Sequence, residues 1–221
     1  MDWTQQVDGY CERLDPGLWA EPLNAVTNLA FLIAAFAAWR LVRHDGLPLA
    51  KLLVLILTLI GIGSGLFHTF ATIWASLADT LPILAFILVF VFAASRDFLD
   101  WPPKFAVVAV IGVFPWAAGV SWALLQVMPG LGASAVYASV DLLIWLYVAM
   151  LLRRAPDTAR ALAIGAALLA VSITARALDM PFCAENPVGS HFLWHVLNAA
   201  MLFWMIRSYR GHMLAKAVQG G

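Results

Sequence analysis

Charge is scarce in this chain: only 12% of its 221 residues are Asp, Glu, Lys or Arg, while 63% are hydrophobic. A soluble domain carries about a quarter charged residues and under about half apolar ones, so a soluble globule is excluded. The 13 Lys and Arg are matched by 13 Asp and Glu. No cationic surplus exists to neutralise a phosphate backbone, which excludes nucleic acid as a partner. Cysteine is as rare. Two residues, Cys11 and Cys183, build neither a disulfide scaffold nor a four-thiolate metal site. A metal must therefore be held by imidazole, carboxylate or hydroxyl groups, which directs attention to the 5 histidines. Also missing are the alternating segments of about ten residues that mark barrel strands, any internal repeat, and an apolar signal run within residues 1–21. The first apolar stretch is expected to direct insertion itself.

What the chain does contain is a succession of apolar runs. Crossing about 30 Å of hydrocarbon takes roughly 20 apolar residues in a helix. Seven runs near that length lie at 22–43, 51–73, 80–96, 104–126, 131–152, 158–178 and 190–207. They predict an all-α integral membrane protein: a seven-transmembrane helix bundle over 22–207, an acidic extracytoplasmic segment over 1–21 and a cytoplasmic tail over 208–221. Of the 13 Lys and Arg, only Arg13 and Arg176 fall on the side opposite the rest. The excess of cations in cytoplasmic loops then places the N-terminus outside and the C-terminus in the cytoplasm of a multi-pass protein of the plasma or inner membrane. Asp2, Asp8, Glu12, Asp15, Glu21, Asp79, Asp179 and Glu185 all fall on the outer side.

The unusual polar residues gather at that outer level. Ser64 and His68, in GIGSGLFHTF, are four apart and share a helix face near the outer end of the second run. Asp79 opens the third run. His191 and His195, in SHFLWHVLN, are also four apart in the first turns of the seventh. Three imidazoles with one open position form a ligand set that catalytic zinc accepts, the metal lowering the pKa of its water to about 7. Asp79 is placed to take a proton and Ser64 to donate to an oxyanion. Each residue also has a plainer reading: structural histidines, Asp79 as a helix cap before Pro82, Ser64 among glycines where two helices approach closely. Ionisable groups at membrane depth are rare, however, and all of these fall in one leaflet.

The segment DGYCERLDPGLWAEPLNAVTN crowds Asp8, Glu12, Asp15 and Glu21 onto the outer face with only Arg13 to offset them. Hard oxygen ligands at that density suit calcium; from composition alone, an acidic tail that merely follows the topology rule explains them at least as well. Cys11 and Cys183 both fall on the outer side. They either pair, pinning the acidic segment over the histidines, or remain two buried thiols. Asp141, deep in the fifth run, needs a partner, and Arg176 is nearest by depth. His44 and His212 read as solvated.

The chain resembles the alkaline ceramidase family, within the seven-span hydrolase superfamily that includes the adiponectin receptors. The resemblance runs from about residue 8 to residue 205. It rests on DGYCE and AEPLNAVTNLAF, on SGLFH and LADTLPI, and on LDMPFC and HFLWH. It implies a seven-helix bundle, zinc on His68, His191 and His195, catalytic roles for Ser64 and Asp79, and a calcium site on Asp8, Glu12 and Glu21, with Asp15 carried over only by position. The chain departs from the family's usual DWCEE, because DGYCE has one more residue between its Asp and its Glu. The expected activity is zinc-dependent hydrolysis of the N-acyl bond of ceramide or a related membrane lipid, releasing a fatty acid and a long-chain base. The alternatives are a seven-span receptor with a structural, closed zinc site, or a hydrolase of another acyl amide or ester.

Overall fold

In the computed structural model, which describes residues 2–219, α-helices carry nearly the whole chain. Among the described residues they are α1 (Pro22–Thr27), α2 (Leu29–Val42), α3 (Pro48–Phe70), α4 (Ile73–Ala93), α5 (Pro103–Val127), α6 (Ala135–Leu151), α7 (Pro156–Leu178) and α8 (His191–Gln219). Proline begins α1, α3, α5 and α7, where its missing N–H costs nothing and its fixed φ suits the first turn. A π-turn over Ala94–Phe98 extends α4, and short 3₁₀ turns at Pro129–Ser134 and Met180–Phe182 lead into α6 and out of α7.

Among the described residues, six helical stretches are long and apolar enough to cross a membrane: Pro22–Val42, Pro48–Phe70, Ile73–Phe98, Pro103–Val127, Pro129–Leu151 and Pro156–Leu178. Large apolar side chains point outward along them, as Phe105, Val108, Ile111, Phe114 and Trp122 do on α5. That arrangement suits a helix bathed in lipid, where apolar surface is not penalised. The last helix, α8, is longer than any of these, but His191, His195 and Asn198 in its first turns dilute its apolarity.

Chain neighbours pack side by side, and α8 closes the bundle by packing on α7, α2 and α3. Phe31, Leu53, Leu57, Ile60, Leu162 and Ile206 are fully buried where these helices meet. The tightest approach is between α3 and α4. At Gly63 a Cβ would collide with the backbone carbonyl of Ala78, so only glycine lets the two helices lie this close. Ser64 and Asp79 are the next residues along each chain. The close contact therefore sets hydroxyl and carboxylate side by side.

The sequence reading differs from the structure at several points. The first run is two helices, α1 and α2, joined at Asn28. The second ends at Phe70, because Ala71 adopts a left-handed backbone (φ 44°) and turns the chain directly into α4. Asp79 thus sits in the second turn of α4, whose N-cap is Thr72, and does not open the helix. The stretch expected as a tail continues α8 to Gln219. His212, expected to be solvated, bonds Thr158 Oγ1 (2.8 Å) and donates to the Asp97 carbonyl (3.1 Å). Arg176 does not reach Asp141. It donates to Ser134 Oγ (2.8 Å) and the Tyr10 hydroxyl (3.4 Å), while Asp141 Oδ1 is buried without a partner among the described residues.

Candidate metal centre

His68 lies near the C-terminal end of α3, and His191 and His195 fill successive turns at the start of α8. Their relative exposures are 1%, 2% and 0%. One ring nitrogen from each lies within 4.8 Å of the others, and among the described residues this is the one group of three or more potential ligands so gathered. His68 and His195, brought together here, are 127 positions apart in the chain.

Hydrogen bonds fix the tautomers. His68 Nδ1 is 2.5 Å from Glu21 Oε2, so with an ionised carboxylate the Nδ1 proton is donated to it and Nε2 keeps its lone pair. His195 Nδ1 is 2.9 Å from Thr27 Oγ1, whose own proton is directed at the Leu23 carbonyl 2.8 Å away, so His195 Nε2 is also an acceptor. These two Nε2 atoms are 3.0 Å apart. Two lone pairs at that separation repel, and a cation between them turns repulsion into ligation; tetrahedral zinc at about 2.0–2.1 Å spaces its nitrogen ligands near 3.3 Å. His191 Nδ1 is buried without a hydrogen-bond partner among the described residues. The donor set fits zinc, with Glu21 and Thr27 orienting its ligands.

Further side chains hold this frame. Asp179 is 2% exposed; its Oδ1 accepts the backbone N–H of Ser190 (2.7 Å) and His191 (2.8 Å), capping α8, and its Oδ2 accepts that of Cys11 (2.9 Å). Gly189, with φ 71°, passes so close to Asp179 and Cys11 that a side chain there would collide with both. Cys11 and Cys183 are joined by a disulfide, with their Cα atoms 5.4 Å apart. Tyr10 stacks on the His191 ring at 3.7 Å between centroids. Residues 3–7 lie along the α3–α4 turn through Val7 N to Ala71 O (2.7 Å) and Ile73 N to Gln5 O (3.1 Å). The acidic segment is thereby strapped over the histidines.

Beside the imidazoles opens a cavity of about 480 Å³, lined by Tyr10, Asp79, Thr80, Tyr137, Arg176 and Trp194 among others. The Asp79 carboxylate has the Ser64 hydroxyl next to it and His68 and Arg176 nearby. Arg176 lies over the rings of Tyr137 (5.2 Å), Trp194 (5.7 Å) and Tyr10 (5.9 Å). Asp79 and the Tyr10 ring stacked on His191 thus form part of the wall of this cavity, with the buried imidazoles and the Ser64 hydroxyl just behind them.

Of the four carboxylates expected to bind calcium, Glu21 faces His68 and Arg13, and Glu12 accepts the backbone N–H of Leu23 (2.6 Å) and Asn24 (2.8 Å) at the head of α1. Asp15 accepts the N–H of Gly17 (2.6 Å), and Asp8 is exposed. Burial alone would raise Glu21, but the hydrogen bonds and charges of His68 and Arg13 hold it below the usual carboxylate range. Glu21, Thr27, Tyr10 and Asp179 as supports of the histidines were not legible in the sequence. Their signal was only that they fall inside the stretches DGYCE, AEPLNAVTNLAF and LDMPFC.

A bundle of apolar helices with a buried imidazole cluster beside a cavity lined by Asp79 defines a multi-pass membrane protein with a candidate metal centre. The model of the ceramidase family matches residues 10–213, most of the chain, and the protein belongs to that family. Membership implies a hydrolase acting on a lipid substrate in the membrane. No curated protein matches the chain.

Proposed function

We propose that the protein is a zinc-dependent amidase that cleaves the N-acyl bond of ceramide or a closely related lipid, giving a fatty acid and a long-chain base. The observation that carries this is the pair of acceptor nitrogens, His68 Nε2 and His195 Nε2, facing each other at 3.0 Å near a cavity lined by Asp79, whose carboxylate has Ser64 beside it. Bound zinc supplies an activated water for attack on the amide carbon. Asp79 takes the water's proton and returns one to the leaving nitrogen, so that the amine departs neutral. Ser64 donates its hydroxyl proton to the carbonyl oxygen as negative charge builds there. Glu21 and Thr27 hold His68 and His195 in the ligating tautomer throughout. A site at membrane depth suits a two-tailed substrate, whose exposure to water would cost about 0.8 kcal/mol per CH₂.

In this reading α8 is the seventh span and the histidine end faces away from the cytoplasm. The cation-rich end supports that placement. Arg210 pairs with Asp45 (2.6 Å), and Lys216 and Arg154 both approach Asp100, so the α2–α3, α4–α5 and α6–α7 connections and the end of α8 lie together at the pole opposite the histidines. Their cations fit a cytoplasmic face.

Detergent-purified protein is expected to release fatty acid and long-chain base from ceramide by mass spectrometry, to lose that turnover when stripped with a chelator, and to regain it with zinc. Turnover that survives complete zinc removal, or no hydrolysis across a panel of N-acyl lipids, contradicts the reading.

A further inference from the structure

The acidic segment has a cation at its centre already: the guanidinium of Arg13. Its side chain is 4% exposed and its donors are directed at oxygens on several sides. Nε donates to Glu21 Oε1 at 2.5 Å, Nη1 to the carbonyls of Asp15 (3.2 Å) and Gly17 (3.4 Å), and Nη2 to the carbonyl of His68 (3.4 Å). One carboxylate and three backbone carbonyls around a buried positive charge is the kind of oxygen shell that a hard cation takes. Here the shell is filled. The remaining acids of the segment are turned to other work: Glu12 holds the first turn of α1 and Asp15 its own loop. The calcium expected from the density of acids does not fit, because a dication placed on Glu21 would displace the guanidinium or lie against it in a buried setting.

We propose that Arg13 occupies the cation position of the amino-terminal segment, so that the segment docks over the histidines without calcium. Arg13 is then a positioning residue. It holds Glu21, Glu21 holds His68, and its bond to the His68 carbonyl ties the same residue from its backbone side. The disulfide and Asp179 fix the segment from the opposite flank through Cys11. The proposal goes beyond the hydrolase reading and stands whether or not ceramide is the substrate.

The test is calcium content and thermal stability of the full-length protein in detergent. Wild type is expected to hold no stoichiometric calcium by elemental analysis, and its melting temperature is expected to be the same in millimolar calcium and in a calcium chelator that leaves zinc bound. Arg13→Met, which keeps the stem and removes the charge, is expected to melt about 10 °C lower, since it leaves Glu21 unpaired on that side. A wild-type protein that binds one calcium per chain, or that melts several degrees higher with calcium, overturns the proposal. So does an Arg13→Met protein as stable as wild type. If Arg13→Met does not fold, the wild-type calcium measurements decide alone.

Discussion

Asp79→Asn is expected to lower turnover on the order of 10³-fold while leaving zinc content unchanged, the loss typical when a positioned proton-transfer group is removed. The amide of Asn has nearly the shape of the carboxylate, so the approach of α3 and α4 at Gly63 and Ala78 is undisturbed. What is removed is a base beside Ser64, on the cavity wall next to the imidazoles. Asp79 is not one of the three gathered potential ligands, which is why the metal should stay. Single-turnover kinetics and metal analysis on the same preparation check both halves. Wild-type turnover in Asp79→Asn removes this residue from the chemistry; loss of zinc makes it a ligand instead.

His195→Ala is expected to abolish turnover and to weaken zinc binding by more than about 100-fold, the upper range for merely disturbing a ligand's support. The ring is fully buried, and its removal takes away one of the two nitrogens that face each other and the ring N–H that bonds the Thr27 hydroxyl. Thr27→Val provides the graded comparison. It keeps the ligand but frees its orientation, and should cost about 10–100-fold in zinc affinity. If both variants hold zinc as tightly as wild type, the histidines are structural and the hydrolase mechanism fails.

The residues that read clearly in the sequence are those whose signal is local. Apolar runs mark the spanning helices because burial in lipid needs about 20 such residues in succession. The pairs Ser64–His68 and His191–His195 read as shared faces because a helix repeats every 3.6 residues. What is not legible is set by contacts between distant parts of the chain. The start of α4 is hidden because neither glycine nor proline marks the turn and the break is made by one left-handed alanine, a residue with no special preference for that backbone. Glu21 reads as a calcium ligand or as part of an acidic tail, and only the fold turns it toward His68, 47 residues away. Arg13 reads as a stray cation in an acidic stretch. Its use depends on three carbonyls and one carboxylate that no spacing rule connects.

The central claim is that one ion is shared by His68, His191 and His195. X-ray absorption at the zinc edge on the detergent-purified wild-type protein tests it most directly. The expected spectrum is that of one zinc per chain with three imidazole nitrogens at about 2.0–2.1 Å and one further light-atom ligand. A protein without bound metal, or a zinc whose shell contains sulfur or fewer than three imidazoles, would contradict it.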